Sequence, residues 1–380
     1  MTSVFIEPCD VVFFRDDLPF GAPGNQLSRC HFPPRPSVVA GALRSKVLAE
    51  RLDHLGDFAT DRDVPEAVRA EIGGPGPDGL APGTFRLGAL HLGRRSDGVE
   101  SAHYKPGRDL AAPGKGGPPD GRLRIVRPAA AGVVPGQSSL GSLAPVAAVL
   151  GFESVSGWLP AEEHLRYLAG SPPAGGVVRE ADVLDREFRV GVGLDPARRT
   201  TDEGQLFSSQ GVLLRPGWGF VAAVDGCSLL PTRGLIRLGG DGRMARLSPW
   251  TAPEPDWTPV REAIARSGRF RWVLQTPAIF QHGWRPRDVR EAGGGRLVYE
   301  RDGLRARLMS AAVDHPELAG GWDLLRGRRK PFRRMVPAGS VFWWEIESGS
   351  PDEVWQRFHG RSVSDERGHE GFGLVHLGGW

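Results

Sequence analysis

Val4-Phe5-Ile6-Glu7-Pro8, then Asp10-Val11-Val12-Phe13-Phe14-Arg15-Asp16, then Pro19-Phe20-Gly21, open the chain. They lead through His31-Phe32-Pro33-Pro34-Arg35-Pro36-Ser37 into Val38-Val39-Ala40-Gly41-Ala42-Leu43-Arg44-Ser45-Lys46. This stretch reads as an apolar strand, a Gly/Pro loop and a helix. Residues 11–14 are continuously apolar, β-branched and aromatic, which suits a well-buried strand. Pro8 has no N–H for a ladder, so it marks an edge or bulge before that run. Pro34 and Pro36 favour extended backbone, and Ser37 is an N-cap candidate for the helix.

The helix carries two apolar stripes. Val39, Leu43 and Val47 make one, and Leu48, Leu52 and Leu55 the other, so cover is expected on two sides. Gly41 removes a side chain and would admit another backbone. Arg44 lies on the same side by helical rotation, either as a solvated cation or as a contact for a ligand.

At 380 residues the chain exceeds one average core. Hydrophobic content of 40% and charged content of 24% fit a globular protein. With 53 Gly and 33 Pro, loops and short strands are expected rather than a helical bundle. The formal charge of +3 selects no partner. Lys46, Lys105, Lys115 and Lys330 are the only lysines, so arginine carries the positive charge, which suits phosphate but also follows from a GC-rich coding bias. Cys9, Cys30 and Cys227 have no CxxC spacing, so neither a zinc site nor a disulfide framework is expected. No segment approaches the roughly 20 apolar residues of a membrane span. A cytoplasmic protein is expected, with no signal peptide, membrane partner, metal or cofactor.

Beyond the opening, residues 57–83 are polar and then Gly/Pro-rich, a surface excursion. Residues 84–92 alternate as a strand. Residues 94–127 are basic, and 106–121 resemble a long cationic loop, either a solvated insertion or a segment that orders on a polyanion. Residues 157–169 suggest a helix. Residues 188–195 and 205–214 make a hairpin arm with Arg198 and Arg199 at its tip. Strands follow at 218–224, and as a pair within 235–247. Prolines 253, 255 and 259 mark a boundary, giving an N-terminal domain over 1–250 and a C-terminal one over 251–380. The latter should hold helices at 258–267 and 351–358, strands at 270–275, 304–313 and 341–346, and a final strand after Gly371 and Gly373. The expectation is α+β, with two ferredoxin-like (RRM-like) halves, inserted loops and a β-hairpin arm.

Chemistry-bearing patterns are sparse. The glycine-rich end is neither a Rossmann nor a P-loop motif, although its amides could approach phosphate. His103-Tyr104-Lys105 and His31 hold residue types a ribonuclease uses, but adjacent side chains on a strand point opposite ways. Trp272, Trp284, Trp322, Trp343, Trp344 and Trp380 crowd the second half, as core, interface or base-stacking platforms.

In order along the chain come Val11-Val12-Phe13-Phe14-Arg15-Asp16, Pro33-Pro34-Arg35-Pro36-Ser37, Gly41-Ala42-Leu43-Arg44, Gly193-Leu194-Asp195 and Glu203-Gly204-Gln205-Leu206-Phe207. Thr276-Pro277-Ala278-Ile279-Phe280, Gly283-Trp284, Gly320-Gly321-Trp322-Asp323, Lys330-Pro331 and Val336-Pro337-Ala338-Gly339-Ser340 follow, then the glycine-rich end. This ordered set resembles the third-subunit family of the Cmr complex, the type III-B CRISPR RNA-guided interference complex, within the RAMP superfamily. The resemblance implies two ferredoxin-like domains, no catalytic site, and a cap that grips the repeat-derived 5′ handle of the CRISPR RNA. Its protein partners would be the large polymerase-like subunit and the backbone subunit, with target RNA met only indirectly. The RNA-facing positions it implies are Arg15, Pro36, Ser37, Gly41, Arg44, Arg198, Arg199, Gln205, Arg328, Lys330, Gly371 and Gly373. The alternatives are a metal-independent endoribonuclease acting on repeat RNA, and a purely protein-bridging scaffold.

Overall fold

The first strand is Thr2–Pro8, not the apolar run that follows it. A computed structural model describes residues 1–15, 27–76, 79–114, 122–129, 143–144, 146, 152–194, 197–198, 200–323 and 327–380, with backbone alone at 79, 201–205 and 322–323. Thr2–Pro8 lies between Trp218–Asp225 and Met244–Pro249, antiparallel to both, and Val4, Phe5 and Ile6 are fully buried. Pro8 ends the strand opposite Ala245. Val11, Val12 and Phe14 are buried too, but only Val12 is bridged, to Val212. Apolarity predicted their burial correctly; ladder membership needed a neighbour that the hairpin base supplies at one residue.

The opening helix is Pro36–Arg51. Arg35 is its N-cap residue, and Ser37, expected there, sits inside the first turn without capping. Proline at the first helical position sets φ and has no N–H to satisfy, so the helix starts one residue early. Val39, Leu43 and Val47 bury against the sheet with Ile6, Phe220 and Ile236. The second stripe is shorter than expected: Leu48 and Leu52 pack on the same core, while Leu55 is exposed in a separate helix, Leu55–Thr60. Residues 57–83 are not only a surface excursion, because helix Glu66–Ile72 buries Val68 and Ile72 at i, i+4 spacing.

The seven-stranded sheet runs Leu159–Pro160, Val99–Tyr104, Arg86–Ser96, Trp218–Asp225, Thr2–Pro8, Met244–Pro249, Gly234–Arg237. A six-stranded sheet runs Val289–Ala292, Arg296–Arg301, Leu304–Ala312, Val341–Ser348, Arg269–Leu274, Val375–Gly379. Every neighbouring pair in both is antiparallel. The protein is therefore mixed α/β and rich in antiparallel strands. Helices Thr258–Ser267 and Pro351–Phe358 flank the second sheet, the latter started by a reciprocal Ser350–Glu353 capping box. Trp272, Trp343 and Trp344 are core. Among the described residues no helix is long and apolar enough to cross a membrane.

Leu110, Leu159, Tyr167 and Leu168 bury in the cluster of the second sheet, although they precede it by a hundred residues or more. Arg271 fixes that junction. Fully buried, it donates to the Gly379 carbonyl at 2.8 Å and the Tyr167 carbonyl at 2.7 Å, and it pairs with buried Asp109 at 3.4 Å. Tyr167 adds its hydroxyl to Asp109. A charge without water needs this many partners.

Candidate nucleic-acid interface

Segments far apart in sequence meet around the opening loop. The His31 amide donates to the Phe14 carbonyl at 2.7 Å, folding the loop back on the apolar run. Leu27 and Ser28 pair in parallel with Ser208 and Ser209 of the hairpin, and Arg186 at the hairpin base donates to the Cys30 carbonyl at 3.3 Å. The hairpin itself, Leu184–Leu194 with Thr201–Leu214, forms as its alternation predicts. On the other side, His31 Nε2 lies 3.2 Å from Glu317 Oε2. Glu317 belongs to a short ladder, Glu317–Ala319 with Arg333–Met335, beside a second one, Trp322–Asp323 with Arg328–Arg329. Arg333 then reaches Glu366 at 2.9 Å, which draws in the glycine-rich end.

The ladder face is cationic. Arg328, Arg329 and Arg334 are exposed, Lys330 is half-buried, and Phe332 is 47% exposed among them. Of this group only Arg333 has a carboxylate partner among the described residues. The reason is local: the run contains no acid, and the strands turn its side chains outward. Exposed arginines around an aromatic ring form the footprint that polyanions recognise.

Several expected contacts turn inward instead. Arg44 is 6% exposed; its guanidinium stacks 4.5 Å from the Phe85 ring centre and pairs with Glu370 at 3.8 Å. Burial lowers its pKa, with Glu370 opposing. It ties the opening helix to the C-terminal segment, and its Nε and Nη2 are buried without a hydrogen-bond partner among the described residues. Gly371 and Gly373 are buried with φ of 90° and 70°. Their amides donate within the chain, to the Gly368 carbonyl at 3.0 Å and the Pro277 carbonyl at 2.7 Å. A Cβ at Gly373 would come 2.6 Å from the Ser364 nitrogen, so the glycine serves packing. Pro36 is buried and Ser37 half-buried in the first turn. A Cβ at Gly41 would meet nothing within 4 Å among the described residues.

Arg15 is exposed, its backbone bridged to Cys30, and Arg198 is exposed in the turn of the hairpin. Arg199 lies outside the described residues, as do residues 16–26, 115–121 and the side chain of Gln205. Sequence reasoning missed Arg329, Phe332, Arg334 and Glu317; the unbroken basic run was the signal for the first three, and nothing local marked Glu317.

The histidines flagged for catalysis are both engaged. His103 is buried against the Trp218 ring, and burial lowers its pKa to about 4. His31 Nδ1 lies 2.9 Å from the Pro33 carbonyl, so both its nitrogens face acceptors. Among the described residues no group of three or more His, Cys, Asp or Glu could hold a metal ion.

Fold and face together describe a strand-rich α/β chain with an arginine-lined surface. Residues 4–380 match the family described as CRISPR-associated protein (Cas_Cmr3), and the chain belongs to that family. No curated protein matches it. Among solved structures it is similar to a chain of the type III-B Cmr-beta complex bound to cognate target RNA, with TM-score 0.47 and 13% identity over 90% of this chain and 86% of that one. The same complex with target RNA and AMPPnP, state 1, gives TM-score 0.45 and 12% identity over 90% and 86%. A chain of its apo state gives TM-score 0.28 and 10% identity over 65% and 95%.

Proposed function

We propose that this chain is the RNA-holding subunit of a type III-B CRISPR effector, gripping the 5′ repeat-derived handle of the CRISPR RNA. In this reading it docks to the large polymerase-like subunit and to the backbone subunit, and it has no catalytic site. Each half is read as ferredoxin-like. Numbered in chain order, four strands of each sheet lie as 4-1-3-2, with one crossover helix retained in each half, Pro36–Arg51 and Pro351–Phe358. The observation that carries the reading is the ladder face: Arg328, Arg329, Lys330 and Arg334 without carboxylate partners among the described residues, beside the opening loop, in a member of this family. Phosphate contacts there would set register, and Phe332 offers a ring for a splayed base. The engaged nitrogens of His31 and the burial of His103 favour a holder over a nuclease.

The test is titration of repeat-derived RNA at several salt concentrations with wild type and an Arg328→Ala/Arg329→Ala/Arg334→Ala variant. The variant should bind more weakly, with a salt slope shallower by roughly 0.7 per lost phosphate contact. Equal affinity and slope would refute the assignment, and cleavage of that RNA without metal would favour the nuclease.

A further inference from the structure

The opening loop is tied down by groups of two kinds. Main-chain pairing joins Leu27 and Ser28 to Ser208 and Ser209, and the His31 amide donates to the Phe14 carbonyl at 2.7 Å; none of these groups titrates. Toward the ladder the tie is an ion pair, His31 Nε2 with Glu317 Oε2 at 3.2 Å. The same ring turns Nδ1 to the Pro33 carbonyl at 2.9 Å. Both neighbours are acceptors, whereas a neutral imidazole has a single N–H. Only the imidazolium satisfies both at once. Loss of its proton sets a lone pair against one of the two oxygens and removes the charge that Glu317 faces. Burial would lower the His31 pKa, but Glu317 and the Pro33 carbonyl outweigh burial and the Arg186 charge and hold it above the ordinary value. Burial would raise that of Glu317, but His31, Arg35 and Lys105 outweigh it and keep the carboxylate ionised further into acid. Arg186 belongs to the hairpin base and is paired with Glu180 at 2.8 Å. Arg35 and Arg186 keep their charges throughout. Lys105, whose pKa burial and Arg108 lower, also feels Glu180, so it is no dedicated partner of Glu317. Water reaches both members of the pair, with the His31 side chain 27% and that of Glu317 34% exposed, so protons exchange without unfolding.

We infer that the His31–Glu317 pair is a proton-operated latch: it holds the opening loop to the ladder while His31 is an imidazolium, and it slackens that side of the loop when the ring loses its proton. The sign follows from the two members. The latch is closed between the acid in which Glu317 takes up a proton, below the ordinary carboxylate value of 4.5, and the pH at which His31 gives one up, above the ordinary imidazole value of 6.5. It opens as pH rises through the raised pKa of His31. Its two ends lie 286 residues apart in sequence, so the pair couples separate parts of the chain rather than neighbours on one turn. The inference stands apart from the RNA-holding reading. Where that reading holds, loop and ladder flank one face, and the latch fixes their spacing.

The test uses the full chain without ligand. The ring C–H signals of His31, assigned by their absence in His31→Gln, are followed by NMR from about pH 5 to about pH 9, the span in which imidazoles titrate. They should titrate above 6.5 in wild type and at a lower pH in Glu317→Gln. Asp352→Asn removes an equal charge from a distant exposed pair with Arg261 and should leave the His31 titration as in wild type. Hydrogen exchange, expressed as protection relative to the unstructured chain at each pH, reads the latch itself. Wild-type protection over residues 27–35 and 317–319 should fall between about pH 6 and about pH 9 by roughly two- to five-fold, the range of one partly exposed ion pair. Glu317→Gln and His31→Gln should show the lower protection at both pH values. Titration of wild-type His31 at or below 6.5, or at a pH that Glu317→Gln does not move, overturns the inference. So does equal protection of wild type and Glu317→Gln on the acid side. None of these readings involves RNA, so failure here leaves the RNA-holding reading intact.

Discussion

Acidification from about pH 7 to about pH 5 should weaken this fold, because a stack of imidazoles is buried at the junction of the two sheets. His164 Nε2 lies 3.0 Å from His376 Nδ1, a geometry that works only when one nitrogen donates and the other keeps its lone pair. The His359 ring stacks on His376 with centres 5.3 Å apart and on Trp355 at 3.8 Å. Tyr104 stacks on His164 at 4.9 Å, and His91 packs on Tyr104 at 4.7 Å. Burial lowers the pKa of His164 and His359 to about 3 and of His91 and His103 to about 4, and it holds His376 well below its ordinary value. Since the folded values are depressed, the unfolded chain takes up protons first as pH falls through about 6.5, and stability is lost from there downward. By about pH 5 each such histidine costs on the order of 1–2 kcal/mol, several kcal/mol for the group. Whole domains are stable by only about 5–15 kcal/mol. Glu71, Glu100, Glu317 and Glu345 have lowered pKa values, so they remain ionised in this window and do not confound it. His31 has the opposite sign: its pKa is raised, so its contribution persists on acidification and is lost as pH rises. Urea unfolding followed by tryptophan fluorescence should show a midpoint that falls steadily below about pH 6.5. His359→Phe keeps a ring against Trp355 and should flatten that slope. A midpoint unchanged or higher at about pH 5 would refute the argument.

Two further outcomes follow from the buried cations. Arg271→Met leaves Asp109 buried without its partner and should cost about 3–5 kcal/mol in urea unfolding, whereas adding Asp109→Asn should recover part of that loss. Arg44→Met should lower stability by breaking the Phe85 stack and the Glu370 pair, yet leave RNA affinity within about two-fold of wild type; a large affinity loss at unchanged stability would restore it to the binding face.

Much of the architecture was legible in the chain itself. Helices Thr258–Ser267 and Pro351–Phe358 fall over the ranges the sequence suggested. The strand around Trp343 falls on a continuous apolar run that is buried throughout, and the hairpin forms where its alternation placed it. What failed had a common physical cause. The run at 11–14 is buried but scarcely paired, because apolarity reports burial and not hydrogen-bonded neighbours. Gly371, Gly373 and Arg44 have intrachain acceptors, Gly368, Pro277 and Glu370, that reach them only through the fold and that no local pattern announces. The convergence of His31 with Glu317 spans 286 residues, a distance that no periodicity or spacing rule crosses. The basic run at 328–334 was visible as composition, but its exposure and lack of acidic partners among the described residues came only from the two short ladders.

The most direct test of the central claim is photo-crosslinking of handle RNA in the assembled effector complex, with the crosslinked peptides of this chain identified by mass spectrometry. The account predicts crosslinks at residues 328–334, with Phe332 prominent, and at the opening loop around His31 and Arg35. Crosslinks confined to other subunits, with this chain unlabelled, would contradict it.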